Sequence, residues 1–119
     1  MEFQNNQPIY LQVIHDIKRR IIRGELQPGE KLSSVRDLAL AYQINPNTAS
    51  RVYKEMEIEG ICFTKRGLGT FITEEKEKIM EIRQEMAGGC LKDFLKGMTD
   101  MGFTFEEIIA LIETYKEEQ

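Results

Sequence analysis

The chain has no tryptophan, one histidine, two cysteines and three prolines among its 119 residues. Each shortage excludes something. His15 is the only histidine, so no histidine-based metal set can be assembled; it lies on a helix whose neighbours are core residues, and no Ser-His-Asp set appears. Cys62 and Cys90 have no Cys or His at metal-ligand spacing and do not form a disulfide framework; reduced, partly buried thiols of a cytoplasmic protein are expected. No apolar run approaches the roughly 18 residues of a membrane span, and Met1–Asn6 has neither the basic nor the apolar region of a secretory signal. No nucleotide loop is present, and Glu74, Glu75 and Glu77 read as a dipole complement at a helix start rather than a catalytic cluster. The expectation is a soluble protein that is not an enzyme and carries no cofactor.

Net charge is −4, which at first argues against a nucleic-acid partner. Its distribution reverses that reading. Residues 1–73 hold ten Lys/Arg and eight Asp/Glu, a balance of +2, while residues 74–119 hold six and twelve, a balance of −6. Any DNA contact is therefore expected in the first 73 residues, through focused contacts rather than a broad positive field.

Helical periodicity starts at Pro8 and stops at Gly24, with Tyr10, Ile14, Ile17 and Ile21 in one stripe. Lys18, Arg19, Arg20 and Arg23 crowd its last turns, where they suit the helix dipole. Pro28-Gly29 marks a turn, and a second helix opens near Ser34, with Asp37 placed to complete a capping box. Leu38, Ala39, Ala41 and Tyr42 form its apolar face. Asn45 as N-cap and Pro46 as first residue open a third helix, with Ala49, Val52, Tyr53 and Met56 inward and Gly60 beyond its end. Two short helices joined by about three residues make a helix-turn-helix. From Ile61 the pattern turns to β-branched and aromatic residues on both sides of Gly67-Leu68-Gly69, a hairpin with a basic tip. A winged helix-turn-helix over residues 1–73 follows.

Residues 74–119 read as a long helix, interrupted in pattern by Gly88-Gly89, then a break at Gly102 and a final helix capped by Thr104. Two amphipathic helices of this size cannot cover their apolar faces on each other alone. A short two-helix dimerisation region and a two-fold homodimer are expected. The fold class is thus mainly α with a small β-hairpin.

A winged helix lays its third helix in the major groove, first turn nearest the bases. Asn45, Asn47 and Thr48 are then candidate base readers, Arg51 a guanine or phosphate contact, and Ser50 and Lys54 phosphate contacts. Arg36 faces the adjacent backbone or base edges, and Lys65, Arg66 and Gly67 suit the minor groove or its phosphates. Each has a plainer reading: Asn45 as a cap, Arg36 as an ion-pair partner, the wing as a solubilising tip. Salt-sensitive binding to duplex DNA separates this interface from a winged helix that binds proteins.

The text Pro8-Ile9-Tyr10-Leu11-Gln12, the run Gly24–Ala39 with Leu32-Ser33-Ser34-Val35-Arg36-Asp37-Leu38-Ala39, Asn45-Pro46-Asn47-Thr48-Ala49, Glu59-Gly60-Ile61 and Gly67-Leu68-Gly69-Thr70-Phe71 resembles the GntR family of bacterial regulators. The short tail is similar in length and pattern to that of the YtrA-type subfamily. The resemblance implies a repressor acting on a palindromic double-stranded DNA operator, with DNA contacts at Ser34, Arg36, Asn45, Asn47, Thr48, Ser50, Arg51, Arg66, Gly67 and Gly69. It also implies release by a small effector, for which the short tail offers no enclosed site; a cleft between two copies or between hairpin and tail is the expected place. Two departures stand out. Ser33 replaces the family's proline, loosening the start of the second helix, and Pro46 stands where many relatives have arginine.

Overall fold

A computed structural model describes residues 1–119, which form two compact units, Met1–Arg83 and Gln84–Gln119. The order is α1 (Ile9–Ile22), α2 (Val35–Tyr42), α3 (Pro46–Ile58), β1 (Cys62–Lys65), β2 (Gly69–Ile72), α4 (Lys76–Asp100) and α5 (Phe105–Glu118). α4 begins in the first unit and ends in the second, without a break at Gly88-Gly89. No helix is long and apolar enough to cross a membrane.

Of the expected α1 stripe Ile14, Ile17 and Ile21 are buried, Tyr10 is half-buried, and Val13 joins the core; Ala49, Val52, Tyr53 and Met56 of α3 are buried as expected. α2 buries Leu38 and Ala39, while Ala41 is exposed and Tyr42 half-buried, so its inner face is narrower than its sequence suggests. The Tyr42 hydroxyl donates to Asp16 Oδ2 at 2.6 Å and ties α2 to α1. Burial and this carboxylate push the Tyr42 phenol up to about 12.

The helix caps show what one methylene decides. Ser34 Oγ accepts from the Asp37 N–H at 3.1 Å, but no bond returns from the Asp37 carboxylate to the Ser34 N–H. Only half of the expected capping box forms at α2. At α5, Thr104 Oγ1 accepts from the Glu107 N–H at 3.2 Å and Glu107 Oε1 accepts from the Thr104 N–H at 3.0 Å. Glutamate reaches back where the shorter aspartate does not.

α2 ends on Gln43, the one non-glycine residue with positive φ (56°). The N–H of Ile44 returns to the Ala39 carbonyl at 2.9 Å, which satisfies an end-of-helix acceptor and holds the turn into α3. The strands pair antiparallel with Cys62 opposite Ile72 and Phe63 opposite Phe71. The outer edge of β2 is covered by the segment leading to α2: Gly29 N–H donates to Ile72 O at 3.0 Å and Leu32 N–H to Thr70 O at 2.7 Å. That cover removes an exposed strand edge and fixes the hairpin beside the start of α2.

In the second unit Ile108 is the one fully buried side chain. Leu91, Phe94, Phe105, Ile109, Ile112 and Tyr115 are all exposed.

Candidate nucleic-acid interface

The recognition surface starts at α3. Asn47, Arg51 and Lys54, at i, i+4 and i+7, lie on one exposed helical stripe, opposite the buried Ala49, Val52 and Met56. Thr48 and Ser50 flank this stripe and are half-buried. Asn47, Thr48 and Arg51 line a shallow groove of about 430 Å³ together with Ile9 and Tyr10 of α1. The Arg51 guanidinium carbon sits 3.8 Å from the centroid of the Tyr10 ring.

Asn45 is exposed, but its Oδ1 accepts from the Asn47 N–H at 2.8 Å. It caps α3, with Pro46 as first helical residue. Bidentate pairing with an adenine edge needs both the carbonyl and the amino group of the side chain. With the cap in place one of the two lone pairs of the carbonyl oxygen is used.

Arg36 is exposed and lines a shallow hollow with Ala39, Leu40, Gln43, Ile44 and Pro46. It thus neighbours Pro46, the first residue of α3. Ser34 and Gly69 line a cleft with Lys31, Ser33 and Tyr53, so the N-terminus of α2 and the hairpin face the same space. Ser33 is tied to α3: its carbonyl accepts from the Tyr53 hydroxyl at 2.8 Å, and its Oγ lies 3.3 Å from that hydroxyl.

The hairpin tip is a tight turn in which the Leu68 N–H donates to Lys65 O at 2.9 Å and Gly67 has φ 78°. Lys65, Arg66 and Gly67 are exposed. The Lys65 ammonium sits 5.1 Å from the Phe71 ring centroid and 5.6 Å from that of Phe63, on the face where these two rings stack. Gly69 has φ 119°, and the Cε of Lys31 lies 2.8 Å from where a Cβ would be. Its lack of a side chain therefore makes room for Lys31. Sequence reading passed over Lys31, because nothing local shows that residues 29–32 run beside β2; the bridge between Lys31 and Phe71 appears only in the fold.

The ion pairs sort the basic residues into two groups. On α1, Lys18 pairs with Glu59 at 3.0 Å, Arg19 with Asp16 at 3.5 Å, Arg20 with Glu25 at 3.6 Å and Arg23 with Glu25 at 3.3 Å. The six others of residues 1–73, namely Lys31, Arg36, Arg51, Lys54, Lys65 and Arg66, form no ion pair. The four cations at the end of α1 all have carboxylate partners, Arg20 and Arg23 sharing Glu25, and those of α2, α3 and the hairpin have none. The ion-pair reading of Arg36 fails on this geometry.

Two cysteines complete the inventory. Cys62 is buried and its thiol is pushed up to about 12, chiefly by burial, whereas Cys90 is exposed. No group of His, Cys, Asp and Glu side chains is arranged to hold a metal.

Residues 9–72 match the family described as "Bacterial regulatory proteins, gntR family". The "Uncharacterized HTH-type transcriptional regulator YhcF" of Bacillus subtilis is 45% identical over 116 residues, covering 98% of this chain and 96% of the relative. The "HTH-type transcriptional repressor YtrA" of the same organism is 40% identical over 106 residues, 88% of this chain and 82% of the relative. Among solved structures, a GntR family transcriptional regulator from Listeria monocytogenes superimposes with a TM-score of 0.87 at 37% identity, covering 94% of this chain and 98% of that one. The relatives are transcription regulators, not enzymes.

Proposed function

The chain belongs to the GntR family of bacterial regulatory proteins, of the short kind similar to YtrA, and we propose that it is a DNA-binding repressor that holds a two-fold symmetric operator as a homodimer in the cytoplasm. The observation that carries the DNA-binding face is the segregation of unpaired cations: Arg36, Arg51, Lys54, Lys65 and Arg66 cluster on α2, α3 and the hairpin with no carboxylate partner. Exposed cations left without internal partners are available to phosphates, and each neutralised phosphate releases counterions.

On this reading α3 lies in the major groove. Asn47 and Thr48 meet base edges, Arg51 a guanine or a phosphate, and Ser50 and Lys54 the backbone. Asn45 caps the helix that carries them. Arg36, Ser34 and Lys31 follow the neighbouring phosphates, and Lys65, Arg66, Gly67 and Gly69 bring the hairpin to the adjacent groove. Repression, rather than activation, is carried over from the repressor YtrA.

The homodimer rests on the second unit. Its apolar side chains stand in solvent, with Ile109 56% and Ile112 51% exposed, too many for a helix pair to leave uncovered. Gly88, Gly89 and Gly97 sit inside a helix although a Cβ at any of them would meet nothing within 4 Å. Each costs roughly 1 kcal/mol of helix stability relative to alanine. Space that this chain does not use suits the close approach of a second copy.

Selection of bound sequences from a random duplex pool tests the operator. A palindrome with half-sites about 34–36 Å apart is expected; enrichment of a single unrepeated site, or of nothing, refutes the reading. Sedimentation equilibrium tests the dimer, with the Ile109→Glu, Ile112→Glu double variant expected as a monomer that keeps a folded first unit. Titration of small molecules into the DNA complex tests effector release, and no change across a broad panel assigns control to protein abundance.

A further inference from the structure

Arg51 is the one arginine of this surface that lies over an aromatic ring, and that ring lies outside the helix-turn-helix. The Arg51 guanidinium carbon lies 3.8 Å from the centroid of the Tyr10 ring, at the second residue of α1. The two side chains, with Asn47 and Thr48, line one groove. We propose that Tyr10 is a positioning residue for DNA reading: its ring holds the planar fork of Arg51 beside Asn47 and Thr48, so that Arg51 acts on a base edge rather than as a loose charge on the backbone. This rests on the DNA-binding reading above and adds α1 to the elements that set sequence preference.

The physical reason is the nature of the arginine side chain. It has many rotamers, and an exposed one samples most of them. A guanine contact requires both N–H donors in one plane, aimed at O6 and N7. A phosphate contact requires only charge nearby. Stacking on an aromatic face fixes the plane and leaves the edge N–H groups free, because the ring engages the face of the guanidinium and not its donors. The partner cannot be a carboxylate without consuming those donors, and none is within ion-pair distance of Arg51. Tyr10 is half-buried and lines the groove together with the exposed Ile9, so it borders the groove rather than lying wholly in the core.

The test is a double-mutant cycle, read on the selected operator and on an unrelated duplex of equal length. Tyr10→Phe keeps the ring and is expected to bind as the parent does. Tyr10→Leu is expected to lose about 2- to 5-fold in operator affinity, the worth of an exposed cation–π contact, with binding to the unrelated duplex and the salt slope unchanged. In the Arg51→Ala background, Tyr10→Leu is expected to change nothing further. Arg51→Lys keeps the charge without the plane and should likewise be insensitive to Tyr10→Leu. An equal loss on both backgrounds shows that Tyr10 merely supports α1 and overturns the proposal, as does a loss in Tyr10→Phe. A readout without DNA separates this inference from the function it rests on. The Arg51 side-chain protons should carry an upfield ring shift in the parent and Tyr10→Phe, absent in Tyr10→Leu. Ring-shifted Arg51 signals in a protein with no sequence preference overturn the DNA-reading function and the inference together; a sequence preference that Tyr10→Leu leaves intact overturns the inference alone.

Discussion

The hydroxyl of Tyr53 donates to the backbone carbonyl of Ser33 at 2.8 Å and so binds α3 to the residue just before the α2 cap. Burial raises the Tyr53 phenol above its ordinary value, so it stays a neutral donor throughout the physiological range. Through this bond α2 and α3 share one anchor. Tyr53→Phe removes the hydroxyl while keeping the ring, and a loss of about 1 kcal/mol in unfolding free energy is expected. Urea denaturation measures it. Full retention of stability would show that the bond contributes nothing.

Asn45 separates capping from reading. Asn45→Ala is expected to lose about 1 kcal/mol of stability, and Asn45→Ser, which can also cap, to recover most of it. Because the Asn45 side chain is turned back to the Asn47 N–H at the helix start, Asn45→Ser should leave operator preference unchanged. Asn47→Ser should alter it instead. Paired selection experiments on the two variants would reveal the opposite ranking if Asn45 reads a base.

The hairpin should act through charge. Lys65→Ala and Arg66→Ala are each expected to lower the slope of log affinity against log salt by about 1, with thermal stability unchanged. The Lys65 ammonium lies above two aromatic rings rather than beside a carboxylate, so its removal leaves no unpaired anion behind. A salt slope equal to that of the parent would place the hairpin off the DNA.

His15 gives the first unit a pH dependence of definite sign. Partial burial, and then the charges of Lys18 and Arg19, lower its pKa below the ordinary 6.5, against a smaller opposing influence of Glu59. The unfolded chain therefore takes up the proton first. The contribution of His15 is complete above pH 6.5 and is lost as the pH falls toward the folded-state value. Relative to His15→Gln, the parent should be constant in stability above pH 7 and fall behind below pH 6.5. Denaturation curves at pH 5, 6, 7 and 8 decide this, and parallel pH profiles would dismiss it.

Much of the architecture was written in local signals. Pro8 and Gly24 bracket α1, Asn45 and Pro46 open α3, and Thr104 with Glu107 opens α5. These marks are legible because caps and turns depend on residues within three or four positions of each other. The hairpin was legible in the same way, from β-branched and aromatic runs around two glycines. Less accessible was the half-formed cap at α2, where Asp37 replaces glutamate at the right spacing but without the reach.

The order and type of the elements, the stripe of α3 that faces outward and the concentration of positive charge in the first 73 residues were determined by the sequence itself, because periodicity, caps and composition are local quantities. Which cations are free was decided only by tertiary structure. Lys18 meets Glu59 and Lys31 settles over Gly69 across more than thirty residues of chain, and Arg51 stacks on Tyr10 across forty-one. No spacing rule relates positions so far apart; packing of α1 against α3, and of the segment before α2 against β2, brings them together.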